Sequence, residues 1–261
     1  MRSSEFVDKG IVRGYSFGNL TDSRSENAAE GVDELMKIIE EAIAKGQKSL
    51  SEFESKQVLA SYGIPVCRES LVQSEEEALQ KAKELGFPVV LKACGAKLTH
   101  KTEGNLIRLW LRGPDEAREA YRDLTRSKSE DVEGVLVQEM IPGHRELVIG
   151  LIRDAQFGPC VMFGFGGVFT EVLNDVSFRV APLEEWDAME MMEEIRAKKL
   201  LEQFRGEQAV DRRLLAESLI ALGRIGLENR AIEEIDVNPL KFRDGKPVAV
   251  DALVVLADKT H

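Results

Sequence analysis

The sequence predicts an α+β protein of two lobes, and three features carry that reading. Helical apolar stripes alternate with short strand-like runs through the first half. Strand signals dominate from Gly134, and the chain closes on two apolar runs around an Asp244-Gly245 turn. No self-similar period of solenoid length runs through it. With 261 residues, 43% hydrophobic and 31% charged, the chain has enough apolar surface for a substantial core and for two linked lobes.

Residues 1–30 hold Ser, Asn, Glu and Gly with little apolar periodicity, and read as a poorly ordered leader, an expression remnant or an upstream extension. Residues 31–48 carry an amphipathic helix, with Leu35, Met36, Ile39, Ala42 and Ile43 at helical spacing and Gly46 as its stop, suited to docking. The first lobe spans 49–133. Ser51 with Glu54 fits a capping box, in which hydroxyl and carboxylate each satisfy an orphaned amide, and Gly63 and Pro65 end that helix. Ser74 and Glu77 repeat the device ahead of Ala78, Leu79, Ala82 and Leu85. Val89-Val90-Leu91 then reads as a buried strand, and Pro114 opens a helix carrying Ala117, Ala120, Tyr121 and Leu124. The second lobe spans 134–261. It holds the strand runs VLVQEMI, ELVIGLI and CVMFGF, helices at roughly 183–204 and 210–228, and a terminal hairpin built from RAIEEIDVNPL and PVAVDALVVL.

The formal charge of −11 repels a phosphate backbone, so general nucleic-acid binding is excluded, while a nucleotide in a locally positive cleft is not. No apolar stretch approaches the ~20 residues that span a bilayer, and MRSSEFVDKG lacks a secretory apolar core. The expectation is a soluble cytoplasmic protein. Cys67, Cys94 and Cys160 are far apart and in no C-x-x-C spacing, which predicts free thiols.

Asp236 and Asn238 stand two apart, so their side chains leave one face of a strand, and pairing of the next run brings Asp251 opposite them. Two carboxylates and an amide oxygen make a hard donor set of the kind Mg²⁺ takes alongside water and phosphate oxygens. The same residues also read as turn signals at strand ends. Lys92 interrupts an apolar run, where a phosphate would serve as its partner; a strand-end lysine reaching back to solvent is the alternative. The following loop, CGAKLTHKTEGN, sets His100 between Lys97 and Lys101. His100 is either a nucleophile toward phosphorus or an exposed loop histidine. It is not a Walker A loop. His144 lies in a turn and reads as structural. Gly164, Gly166 and Gly167 either approach a phosphate or make a tight turn, and the Met run at 189–192 reads as core.

Taken in order, LSEFESKQVLASYGIPV, FPVVLKACG, THKTEG, VLVQEMIPGHRELVIGLIRD, FGPCVMFGFGG, FRVAPL and EIDVNPL with VDALVVL resemble the ATP-grasp domain of nucleoside-diphosphate-forming acyl-CoA synthetases, from Leu50 to Leu256. The chain looks most like the separate β subunit of an ADP-forming acetyl-CoA synthetase, an acid-thiol ligase active only with a partner. The resemblance implies an ATP-grasp fold with the nucleotide between two α+β lobes. It implies that Lys92 meets the nucleotide phosphates, that the backbone of Gln138, Glu139, Met140 and Ile141 reads adenine, and that Glu146 binds ribose. Asp236, Asn238 and Asp251 would hold Mg²⁺. His100, with Lys101 beside it, would be a transient phosphohistidine between ATP or ADP and a histidine on a CoA-binding α subunit, in an α2β2 heterotetramer. Glu171 matches a family position without a firm role. The implied reaction is acyl-CoA + ADP + phosphate ⇌ carboxylic acid + CoA + ATP. The rivals are a non-catalytic nucleotide-sensing subunit, which needs no phosphoryl acceptor such as His100, and a succinate–CoA ligase β subunit, which shares D/E-x-N-P-L but not the THK loop.

Overall fold

The computed structural model describes residues 36–98, 106–126, 131–166 and 175–257. Helix α1 is helical over 36–44. Its Ile39 and Ala42 are buried in the larger of the cores, with Ile38 and Ile43 packed against it. The stripe expected to dock a partner is therefore used within the chain, where burying apolar area carries no association cost.

Helix α2 (Glu52–Ser61) begins at the expected capping box. The Ser51 amide donates to Glu54 Oε2 at 2.8 Å, and the Glu54 amide donates to Ser51 Oγ at 3.3 Å. The chain turns out of it at Gly63, whose φ of +82° an L side chain adopts only under strain. The apolar side of α2, Val58 and Leu59 with flanking Leu50 and Ile64, joins the same core as α1.

A four-stranded antiparallel sheet follows, formed by β1 (Glu69–Val72), β2 (Val89–Cys94), β3 (Ile107–Leu111) and β4 (Gly134–Glu139) in the order β1-β4-β2-β3. Helices α3 (Glu75–Leu85) and α4 (Pro114–Arg126) cover one face. Val89, Leu91 and Ala93 point into that core with Ala78, Ala82, Ala117 and Leu124. By the two-residue period of a strand, Val90 and Lys92 point away from it. Ser74 Oγ accepts from the Glu77 amide at 3.2 Å, but the Glu77 carboxylate turns to the Gln73 amide at 2.8 Å, so only half of the second expected box forms.

Strand β4 pairs with both β1 and β2, so this sheet continues past the expected division at 133/134. The unbroken strand signals after Gly134 hide the change of sheet. In the other direction, α2 lies on the first-lobe side of that division in sequence but packs with the second sheet.

The second sheet has six strands: β5 (Leu147–Asp154), β6 (Gly158–Phe165), β7 (Val176–Val180), β8 (Ile232–Arg243), β9 (Lys246–Ala249) and β10 (Leu253–Leu256). They run β10-β8-β5-β6-β7, with β9 also on β8. Helices α5 (Glu185–Glu194) and α6 (Arg212–Glu228) pack on one face, and the Met run is core as expected, Met191 and Met192 being buried. The single helix expected near 183–204 is instead α5 followed by a 3-10 turn, Arg196–Leu201. Ile195 is extended between them, and the Asp175 carboxylate accepts from the Arg196 and Ala197 amides at 2.7 and 2.8 Å, giving the new turn a cap of its own.

Asp244 and Gly245, both at positive φ, make the expected turn between β8 and β9. The last apolar run then divides. Ala249 of β9 faces Leu240 on the far half of β8, and Leu253 of β10 faces Asp236 on the near half. Residues 250–252 form the step between them. Among the described residues no helix is long and apolar enough to cross a membrane.

Candidate functional site

A cleft of about 470 Å³ opens between the two sheets. Its first wall is β2 and β3: Val90 and Lys92 alternate onto it, and Ile107, paired to Lys92, continues it with Leu109. Its second wall is β8 with the step after β9, bringing Asn238, Pro239, Lys241, Val250 and Asp251. The segment leaving β4, Gln138 to Ile141, joins the walls, and Glu146 closes the rim. Of the residues singled out in the sequence, Lys92, Gln138, Glu139, Met140, Ile141, Glu146, Asn238 and Asp251 thus meet in one place. His100, Lys101 and Glu171 lie outside the described residues.

Lys92 is buried, and its Nζ donates to Glu52 Oε1 at 2.7 Å, to the Val250 carbonyl at 3.1 Å and to Asp251 Oδ2 at 3.4 Å. Burial alone would lower its pKa, but the carboxylates of Asp251 and Glu52 outweigh burial and raise it, so Lys92 remains an ammonium. The strand-end lysine reaching to solvent is therefore not what forms.

Asp236 is not among the residues lining the cleft; it is partly buried on β8, two residues before Asn238 and opposite Leu253. Extending that antiparallel register by two residues sets Asp251 against Asn238. Burial, with the neighbouring charges of Glu234 and Asp251, pushes the Asp236 carboxyl up to about 6. A divalent cation would relieve that crowding, and the donor set is all oxygen, so the residues present fit Mg²⁺. Among the described residues no three His, Cys, Asp or Glu side chains group around a point, so a cation here depends on the Asn238 amide and on ligand oxygens.

The Glu139 carboxylate is committed elsewhere. It accepts from the Arg68 amide and Nε at 2.8 and 2.7 Å and pairs with Arg243. Burial would raise its pKa, but these donors outweigh it and hold the pKa below the usual range. The Glu139 backbone amide is committed as well, donating to the Arg68 carbonyl at 3.0 Å. Glu146 accepts from Lys241 Nζ at 3.1 Å. His144 is exposed, and its amide donates to Glu207 Oε1 at 2.8 Å, which fits its structural reading.

Sequence reasoning missed the groups behind Lys92. Lys56 Nζ donates to the same Glu52 Oε1 at 2.7 Å, pairs with Glu69 and reaches the Val250 carbonyl at 3.3 Å. Gln138 Nε2 donates to that carbonyl at 2.8 Å and contacts Cys67 Sγ. In sequence, Glu52 and Lys56 are an i,i+4 pair of the kind that decorates helix surfaces, so nothing marked them as buried.

Comparison with known proteins places this geometry. The ATP-grasp domain family matches residues 41–256. The β subunit of acetate–CoA ligase [ADP-forming] I from Pyrococcus furiosus is 42% identical over 224 residues, covering 84% of this chain and 96% of that one. The dinucleotide-forming acetyl-coenzyme A synthetase 1 of Ca. Korarchaeum cryptofilum, solved with coenzyme A, Ca-AMPCP and HgCl+, superposes with a TM-score of 0.80 at 46% identity, covering 86% of this chain and 99% of that chain. Another structure of that enzyme, with coenzyme A and Mg-AMPPCP and its phosphohistidine segment pointing towards the nucleotide site, gives a TM-score of 0.76 at 45% identity over 85% of this chain and 100% of that one. The chain belongs to the ATP-grasp family, with the nucleotide-binding β subunits of ADP-forming acetyl-CoA synthetases, which are acid-thiol ligases. A β subunit of this kind works with an α partner.

Proposed function

We propose that the cleft binds Mg·ADP and Mg·ATP and passes a phosphoryl group between the nucleotide and His100. The carrying observation is that Lys92, Asp251, Asn238 and the 138–141 segment line one cleft between two sheets. The adenine lies against the 138–141 backbone with Val90, Ile107 and Leu109 as apolar walls, Glu146 takes the ribose hydroxyls, and Lys92 meets the phosphates. Asp236, Asn238 and Asp251 hold Mg²⁺, which when bound supplies charge neutralisation on the phosphate oxygens.

His100 attacks the terminal phosphorus of ATP, the bond to the bridging oxygen breaks, and ADP leaves with the electron pair. In the other direction an ADP β-phosphate oxygen takes the phosphoryl group from His100. Lys92 and Lys101 hold positive charge beside the oxygens on which negative charge gathers. The CoA site, the acyl pocket and a second phosphorylated histidine belong to the α partner in an α2β2 assembly, and the complex acts in the cytoplasm. The subunit character of the Pyrococcus relative and the phosphohistidine segment in the Korarchaeum structure support this division of labour.

The test is to incubate the chain with Mg·ATP and look for acid-labile, base-stable phosphate. It should appear on His100 and vanish in His100→Ala, while CoA release from acetyl-CoA should require added α partner. Tight Mg·ATP binding with no labelled histidine would instead favour the sensing subunit.

A further inference from the structure

Glu52 is the first residue of α2, fixed there by the Ser51 cap, and its side chain is 0% exposed. Such a carboxylate is costly to bury unless charged donors surround it. One of its oxygens accepts from Lys56 and from Lys92, each at 2.7 Å. It therefore joins a helix packed on the six-stranded sheet to the cleft-facing lysine of the four-stranded sheet. Lys56 is held in turn by Glu69 and the Val250 carbonyl.

We propose that Glu52 is a positioning residue for Lys92, with Lys56 as its anchor. Lys92 has a second carboxylate within reach, Asp251, at the longer distance of 3.4 Å. While Glu52 holds the ammonium from behind, the opposite side of Lys92 stays directed at the cleft and its contact with Asp251 stays the longer one. Without the Glu52 charge, Asp251 is the carboxylate that already accepts a hydrogen bond from Lys92, with Glu69 acting on that lysine only from further off. The ammonium then shifts onto it, away from the phosphates, and covers an expected Mg²⁺ ligand.

The sign of the effect separates this from bulk electrostatics. Removing a negative charge near a phosphate site should by Coulomb's law favour an anionic nucleotide. Positioning predicts the reverse. The proposal rests on Lys92 being the lysine that meets the phosphates, so Lys92→Met is measured alongside.

Binding of Mg·ADP and of adenosine to the full chain is measured by calorimetry for the wild type, Glu52→Gln and Lys92→Met. The expected result is that Glu52→Gln weakens Mg·ADP by about tenfold or more, with adenosine, which has neither phosphate nor metal, unchanged. Equal or tighter Mg·ADP binding by Glu52→Gln would overturn the proposal. Parallel loss of Mg·ADP and adenosine would also overturn it, since that marks a residue which only holds the lobes. If Lys92→Met leaves Mg·ADP binding intact, the phosphate-lysine reading itself fails. If Lys92→Met weakens it and Glu52→Gln does not, only the positioning role fails. Should Glu52→Gln fold poorly, the double variant Glu52→Gln with Lys56→Met removes one charge of each sign and should show the same selective loss.

Discussion

Cys67 shows how two effects on one residue are weighed. Its sulfur lies 3.8 Å from Lys56 Nζ, and a neighbouring ammonium normally draws a thiol toward thiolate. Burial acts the other way and is the larger effect, pushing the thiol up to about 11. At pH 8 Cys67 should therefore resist iodoacetamide, and half-exposed Cys160 should label first, as peptide mapping would show. The folded pKa lies above the ordinary value of 9.0, so the contribution to stability is present below about pH 9 and lost as pH rises through about 11. The urea midpoint of the wild type should fall across that window, and fall less in Cys67→Ala. Rapid labelling of Cys67 in the folded chain at pH 8 would contradict this reading.

At the scale of elements, what the sequence revealed tracks burial. The central strands β2, β4, β5, β6 and β8 were legible as apolar runs. The strands that escaped notice, β1, β3 and β7, are all sheet edges, where partial exposure breaks the apolar pattern. Lys92 stood out because a charge interrupting an apolar run needs a reason, whereas Glu52, Lys56 and Lys241 looked like ordinary polar residues. The break after α5 was invisible because Asp175, which caps the following turn, is remote in sequence. Gly164 left a phosphate or a tight turn open, and the structure shows a third use. A Cβ there would sit 2.6 Å from Val176 Cγ1 and 2.8 Å from the Asp175 carbonyl oxygen, so the missing side chain lets β6 and β7 pair closely. Gly164→Ala should cost about 1–3 kcal/mol through overpacking, read by urea denaturation, with adenosine affinity of the folded fraction unchanged. A neutral effect on stability would remove the packing role.

Among the described residues one core lies under each sheet, and a small third apolar cluster of Cys67, Ile141 and Val248, with Val250 against it, joins them beside a group of buried charges. The core of the six-stranded sheet includes Leu59 and Val58 of α2, and that of the four-stranded sheet includes Leu91 and Val137. Between them lie the buried groups Glu52, Lys56, Glu69, Lys92 and Gln138, most of whose partners belong to a different element. Sequence reading divided the chain at 133/134, because chain order does not show that β4 completes the first sheet or that α2 roofs the second. Separate cores predict separate opening. Leu59→Ala should cost about 2–5 kcal/mol and speed amide hydrogen exchange in β5, β6 and β8 while sparing β2 and β4. Leu91→Ala should do the converse. The joint is small beside either core, so a packing defect under one sheet should stay largely on its own side. If either variant accelerates exchange equally in both sheets, the buried charges bind the lobes into one cooperative unit, and movement of one lobe against the other about the nucleotide cleft would have to break them.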